Sequence, residues 1–110
     1  MITPWGESQR IEIIAPGIAF HTTVSHGGYY LSSERNKQVQ PCWRKRDGWY
    51  EEDLEKVIVI LTFPEHFTHE VVEHAHTLAK MCYLDKYNRV FRVQLSVDES
   101  NHEQAVLKLF

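Results

Sequence analysis

Three of the chain's seven histidines fall in one run, HEVVEHAH at 69–76, and their spacing limits what they can do. A zinc-protease helix of the HExxH type needs its second histidine four residues after the first, and Glu73 stands there. Read in the opposite sense, HxxEH ending at His74 needs a histidine at position 70, which is Glu70. What is left is His69, Glu73 and His76 at i, i+4 and i+7, one helical stripe. With a further ligand such a stripe can hold Zn²⁺. Histidine–glutamate pairs four apart are also ordinary decoration of a solvated helix face. No metal and no cofactor is expected.

The stretch Gly17–Asn36, GIAFHTTVSHGGYYLSSERN, holds the other chemical candidates. His21 and His26 lie near Ser25, Ser32, Ser33 and Tyr30, so a serine–histidine pair can be drawn. Such a pair needs an acidic group to orient the imidazole and a strained turn to present the nucleophile. Neither is visible, and no catalytic residue is assigned. Arg35, Lys37, Arg44, Lys45 and Arg46 lie near Tyr29, Tyr30 and Trp43 in sequence, and cations beside stacking rings are how single-stranded nucleic acid is held. The ordinary reading is a solvated loop with Trp43 in the core. Glu51, Glu52, Asp53 and Glu55 form an acidic group that either meets a basic partner or opposes a helix dipole.

The elements that position these residues follow from pattern. Arg10–Ile14 reads as a strand, Ala15-Pro16-Gly17 as a type II turn, and Ile18–Val24 as a second strand with clean alternation. Ser25-His26-Gly27-Gly28 reads as the next turn, with the glycines supplying positive φ, and Tyr29–Leu31 as the third strand. Ser32 or Ser33 caps a short helix over Glu34–Val39 that Pro41 stops. Asp47-Gly48 leads into a helix over Trp49–Phe63, with Glu51, Glu52 and Asp53 in its first turn. The run VIVILTF also suits a buried strand, but the apolar stripe Tyr50, Leu54, Val57, Ile58, Leu61 favours helix. The clearest helix runs from Thr68 to about Tyr83. A further turn covers Asp85–Arg92, Val93–Val97 alternates like a strand, and Glu103–Phe110 suits either helix or strand. The expected fold class is α+β: a three-stranded antiparallel meander packed against two or three helices. A single domain over 1–110 is expected, with its core at about 9–92.

Composition fits that fold: 43% hydrophobic and 25% charged residues in 110 are those of a globular domain. A net charge of −3 implies no particular partner. Two cysteines, Cys42 and Cys82, are too few for a secreted disulfide framework, so reduced thiols and a cytoplasmic location are expected, although one bridge between them is compatible with the sequence. The N-terminus lacks a signal-peptide pattern, and no apolar run is long enough for a membrane span.

The segments TPWGESQ, IAPGIAFHTTVSHGGYYLSSERN, DGWYEEDLE and VILTFPEHFT, in order over residues 3–90, resemble an uncharacterised domain family of bacterial, phage and plasmid proteins. SHGGYYLS and GWYEED carry most of the resemblance. The family has no established activity, so the resemblance transfers no catalytic role. It implies a small protein of a bacterium or mobile element. The resulting expectation is a non-enzymatic binding protein, with an inhibitor of a host defence complex of the anti-CRISPR kind as the leading example. Its protein partner would meet His26, Tyr29, Tyr30, Trp49, Glu51, Glu52 and Asp53. The alternatives are a nucleic-acid-binding accessory protein using Trp43, Arg44, Lys45 and Arg46, and a histidine-based or metal-dependent hydrolase.

Overall fold

The computed structural model describes residues 1–91. It is α+β, with helices on one face of an antiparallel sheet. Two short strands, β1 (Ile2–Thr3) and β2 (Gly6–Glu7), form an N-terminal hairpin. β3 (Arg10–Ala15), β4 (Ile18–Thr22), β5 (Gly27–Leu31) and β6 (Trp49–Glu51) form a four-stranded sheet in that order. α1 (Ser33–Asn36) follows β5, α2 (Lys56–Thr62) follows β6, and α3 (His69–Cys82) lies after a 3₁₀ turn at Pro64–His66. Residues 84–91 are helical as well. The strand and C-terminal element expected at 93–97 and 103–110 lie outside the described residues.

The expected meander forms, but it has a fourth strand. Trp49–Glu51 pairs with β5 in the register Gly28↔Glu51, Tyr29↔Tyr50 and Tyr30↔Trp49. The helix expected from Trp49 therefore starts only at Lys56. The two states are joined by one side chain. Glu51 Oε2 accepts from the Asp53 backbone N–H at 2.8 Å, and Oε1 accepts from those of Leu54 and Glu55 at 2.6 and 2.9 Å. A strand residue thus satisfies the free amides of the turn that launches α2, as a capping residue would. The β-branched run then continues as helix, because Val57, Ile58, Val59 and Ile60 are all buried and α2 is covered on every side.

The expected Gly27–Gly28 turn does not form. Both glycines are in β5, and neither has positive φ. The chain reverses over residues 23–26 instead. There the Thr23 hydroxyl donates to the His26 carbonyl at 2.7 Å and accepts from the His26 N–H at 3.1 Å. The Pro16-Gly17 turn is as expected, with Gly17 at φ 84°. Ser32 caps α1 by accepting from the Arg35 N–H, and Arg35 reaches back to the Pro16 carbonyl at 2.9 Å. Thr68 caps α3 in the same way through the Val71 N–H.

Strand alternation gives the sheet two faces. Ile18, Phe20, Tyr29, Leu31 and Tyr50 point to the helices; Ile18, Leu31 and Tyr50 build the core with Val39, Trp43, α2, Phe63 and the buried Ala75 and Ala79 of α3, and Tyr29 packs against it. Tyr50 is wholly buried. Its hydroxyl donates to Asn36 Oδ1 and accepts from the Lys45 N–H at 3.0 Å. Asn36 Nδ2 in turn donates to the Lys45 carbonyl at 2.7 Å, so one polar cluster ties α1 and the following loop to β6.

Candidate functional site: the outer face of the sheet

The face turned away from the helices carries Ile11 and Ile13 of β3, Ala19 and His21 of β4, Gly28 and Tyr30 of β5, and Trp49 and Glu51 of β6. Over one end lies Trp5, presented by the β1–β2 hairpin. Its ring meets Trp49 edge-on at 5.7 Å between centroids. Trp49 also packs against His21 at 5.0 Å and Tyr30 at 4.6 Å. Trp5, Tyr30 and Trp49 are partly buried and keep part of each ring accessible, and Ile11 and Ile13 extend the apolar surface with 52% and 69% of their area exposed.

Gly28 makes this arrangement possible. A Cβ there would collide with the Trp5 ring and stand 2.6 Å from the Tyr50 carbonyl oxygen. The missing side chain is the seat of the indole. The glycine pair thus serves close approach rather than chain reversal. Thr3 steadies the hairpin above it: its hydroxyl donates to the Gly6 carbonyl at 2.8 Å and accepts from the Trp5 N–H at 3.1 Å.

His21 is almost fully enclosed beneath Trp49. Burial lowers its pKa from the ordinary 6.5, and the N-terminal ammonium acts in the same direction. Its Nδ1 lies 2.9 Å from Ser8 Oγ. The Ser8 hydroxyl is also placed to donate to the Arg10 carbonyl at 3.4 Å. The pair links the segment that follows the hairpin to β4.

The residues expected to meet a protein partner are divided by the fold. Tyr30, Trp49 and Glu51 lie on the outer face. Tyr29 points the other way, onto Phe20 at 4.8 Å and Phe67 at 5.8 Å, and burial raises its hydroxyl pKa. His26 is exposed at the 23–26 turn. Glu52 is structural, its carboxylate accepting from the Gly27 N–H at 3.0 Å, while Asp53 is exposed in the turn before α2. Glu51 sits in a partly buried position that disfavours charge, yet the three amides it accepts from hold its pKa below the ordinary value. Sequence reasoning does not assign Trp5, His21 or Ser8 to this surface. The available signal for Trp5 is the pairing of TPWG with a glycine pair in a strand.

The loop named for the nucleic-acid-binding alternative is largely engaged internally. Trp43 is 3% exposed and packs against Tyr83. Arg44 donates to the Val39 carbonyl at 2.7 Å and to that of Lys37 at 3.0 Å, closing the end of α1. Lys45 pairs with Glu55 at 2.9 Å, a hydrogen bond that raises its pKa. Arg46 alone of the four points freely to solvent. On α3, His69 and Glu73 are exposed, but His76 is half-buried with Nδ1 2.8 Å from the Tyr87 hydroxyl. Among the described residues no three His, Cys, Asp or Glu side chains converge as a metal site, and no helix is long and apolar enough to cross a membrane. Cys42 and Cys82 are free.

A family model described as a domain of unknown function, DUF7007, matches residues 1–107. The chain belongs to this family. No curated protein and no solved structure matches it. The match spans every part of the outer face of this DUF7007 domain, from Trp5 on the hairpin to Glu51 on β6.

Proposed function

We propose that this DUF7007 domain is a non-enzymatic module that binds another protein through the outer face of its sheet. The observation that carries the reading is the cluster of Trp5, Tyr30 and Trp49, packed together and partly accessible on the side without helices. Large rigid rings that are already packed lose little freedom on binding and dominate the energetics of protein interfaces. Glu51 on the same face and the exposed His26 and Asp53 nearby supply a polar rim. The resemblance to phage and plasmid proteins supports placing the partner in a host complex, with inhibition of a defence system of the CRISPR type as the outcome of binding.

The test is affinity capture from bacterial lysate with wild type, Tyr30→Ser, Trp49→Ser and, as a control on the opposite side of the fold, the exposed Glu73→Ala. The reading expects specific partner bands with wild type and the control, and their loss with both aromatic variants. Identical bands for all four proteins would refute it. Glu52→Ala is not a clean probe of contact, because it removes the acceptor of the Gly27 amide.

A further inference from the structure

β3 is an edge strand, since the sheet order begins with it. Edges of this kind are ordinarily blunted by charged side chains, proline, a bulge, a covering element or short length. β3 is six residues long, and its first four residues, all exposed, are two isoleucines and the oppositely charged Arg10 and Glu12. A bulge between Ile13 and Ala15 disrupts its far end. Among the described residues no other strand pairs with this edge.

Its side chains form a self-complementary pattern. Arg10 and Glu12 point to the helix side and Ile11 and Ile13 to the outer side. Neither Arg10 nor Glu12 takes part in an ion pair among the described residues. Consider two copies of β3 placed antiparallel about a two-fold axis. With the axis at Ile11, each Arg10 faces the other copy's Glu12, and Ile11 faces Ile11 with the two Ile13 side chains diagonal to it. With the axis at Glu12, two carboxylates oppose each other. With the axis at Ile13, the bulge falls within the pairing and Arg10 has no acidic counterpart. Opposite charges directly across a strand pair stabilise it and like charges oppose it, so charge selects the first register.

We propose that the domain forms a symmetric dimer by pairing β3 with β3 of a second copy, with Ile11 at the axis. Two four-stranded sheets then join into one of eight strands. This inference does not depend on the partner-binding reading, but it bears on it. Joining the sheets places both aromatic clusters on one continuous outer face, so a bivalent partner would gain effective concentration for its second contact.

Sedimentation equilibrium over micromolar to millimolar loading tests the pairing. Wild type is expected to approach twice the 13.0 kDa chain mass. Arg10→Glu and Glu12→Arg each place like charges in both cross-strand pairs and should raise the dissociation constant by on the order of ten- to a hundredfold. Mixing the two single variants should restore a dimer. One chain then carries carboxylates at both positions and the other carries guanidinium groups at both, so each cross-strand pair again joins opposite charges. The double variant within one chain should also dimerise. Ile11→Lys, which brings two ammonium groups together at the axis, should be monomeric. These positions are all exposed, so circular dichroism should match wild type. A wild type that stays monomeric throughout overturns the proposal. So does a dimer indifferent to the single reversals, or a mixture that fails to reassociate.

Discussion

Gly28→Ala tests whether the glycine pair is the seat of Trp5. In the middle of a strand this substitution ordinarily stabilises, by about 0.5–1 kcal/mol, because glycine loses the most backbone freedom on folding. Here the sign should reverse. The new methyl meets the Trp5 ring on one side and the Tyr50 carbonyl at 2.6 Å on the other. The carbonyl belongs to β6 and moves only if the strand moves, so the indole is the group that yields. Overpacking of this kind costs about 1–3 kcal/mol. Displacing Trp5 also gives up its edge contact with Trp49, which contributes about 0.5–1.5 kcal/mol beyond burial. Less the propensity gain, the net loss is about 2 kcal/mol, or a fall in Tm of about 8 °C for a domain of this size. Urea unfolding followed by tryptophan fluorescence measures it. The decisive comparison is a cycle with Trp5→Ala. With the indole removed, Gly28→Ala should cost less by about 1 kcal/mol, because only the carbonyl contact remains. A stabilising Gly28→Ala, or single-variant effects that add to within about 0.5 kcal/mol, would mean that the glycine does not seat the tryptophan.

Tyr50→Phe should destabilise by about 1–3 kcal/mol, because it strands Asn36 Oδ1 and the Lys45 amide without a buried partner; a change under about 0.5 kcal/mol in the same urea assay would remove the polar cluster from the account of stability. Stability should also fall in mild acid. His21 and His76 both have folded pKa values below the ordinary 6.5, chiefly through burial, so the unfolded chain binds protons more readily. Their contribution is therefore complete above pH 6.5 and declines as pH drops from there towards the folded values. His21→Asn should flatten the decline measured by thermal unfolding between neutral and mildly acid pH, and an unchanged slope would refute the role of His21.

Local chemistry makes most of the frame readable. Pro16-Gly17 marks the turn between β3 and β4, Ser32 and Thr68 mark two helix starts, and alternation from Ile18 marks β4. The misreadings come where a distant contact overrides a local signal. A Gly-Gly pair reads as a turn because glycine tolerates positive φ, but Gly28 is set by an indole that arrives from residue 5. Trp49–Glu51 is too short to show a strand period, and its identity comes from pairing with β5 twenty residues earlier. The acids after it suggest compensation of a helix dipole. Glu51 does serve the start of a helix, but from a strand and by direct hydrogen bonds to amides. For Trp43 the ordinary reading holds: the ring fills the core, while Arg44 closes α1 and Lys45 pairs with Glu55.

The same alternation that builds the core also makes the outer face informative. An antiparallel sheet packed by helices on one side needs only polar residues on the other. Folding explains Tyr29 and Tyr50, which point to the helices, and uses Trp49, which covers His21 and meets Trp5, but it does not require the neighbouring ring of Tyr30, which points away and lies outside the core. Nor does it require Ile11 and Ile13 on an exposed edge strand. The N-terminal hairpin covers one end of this face, held by the Trp5 indole over Gly28 and by the Ser8–His21 contact, and leaves Ile11 and Ile13 uncovered. Apolar residues that the fold leaves accessible in contiguous groups mark contact surfaces. In this chain they divide into two, an aromatic group centred on Trp49 and an isoleucine edge centred on Ile11. The first has the rigid rings that a protein partner would engage, and the second has the charge pattern that its own copy would match.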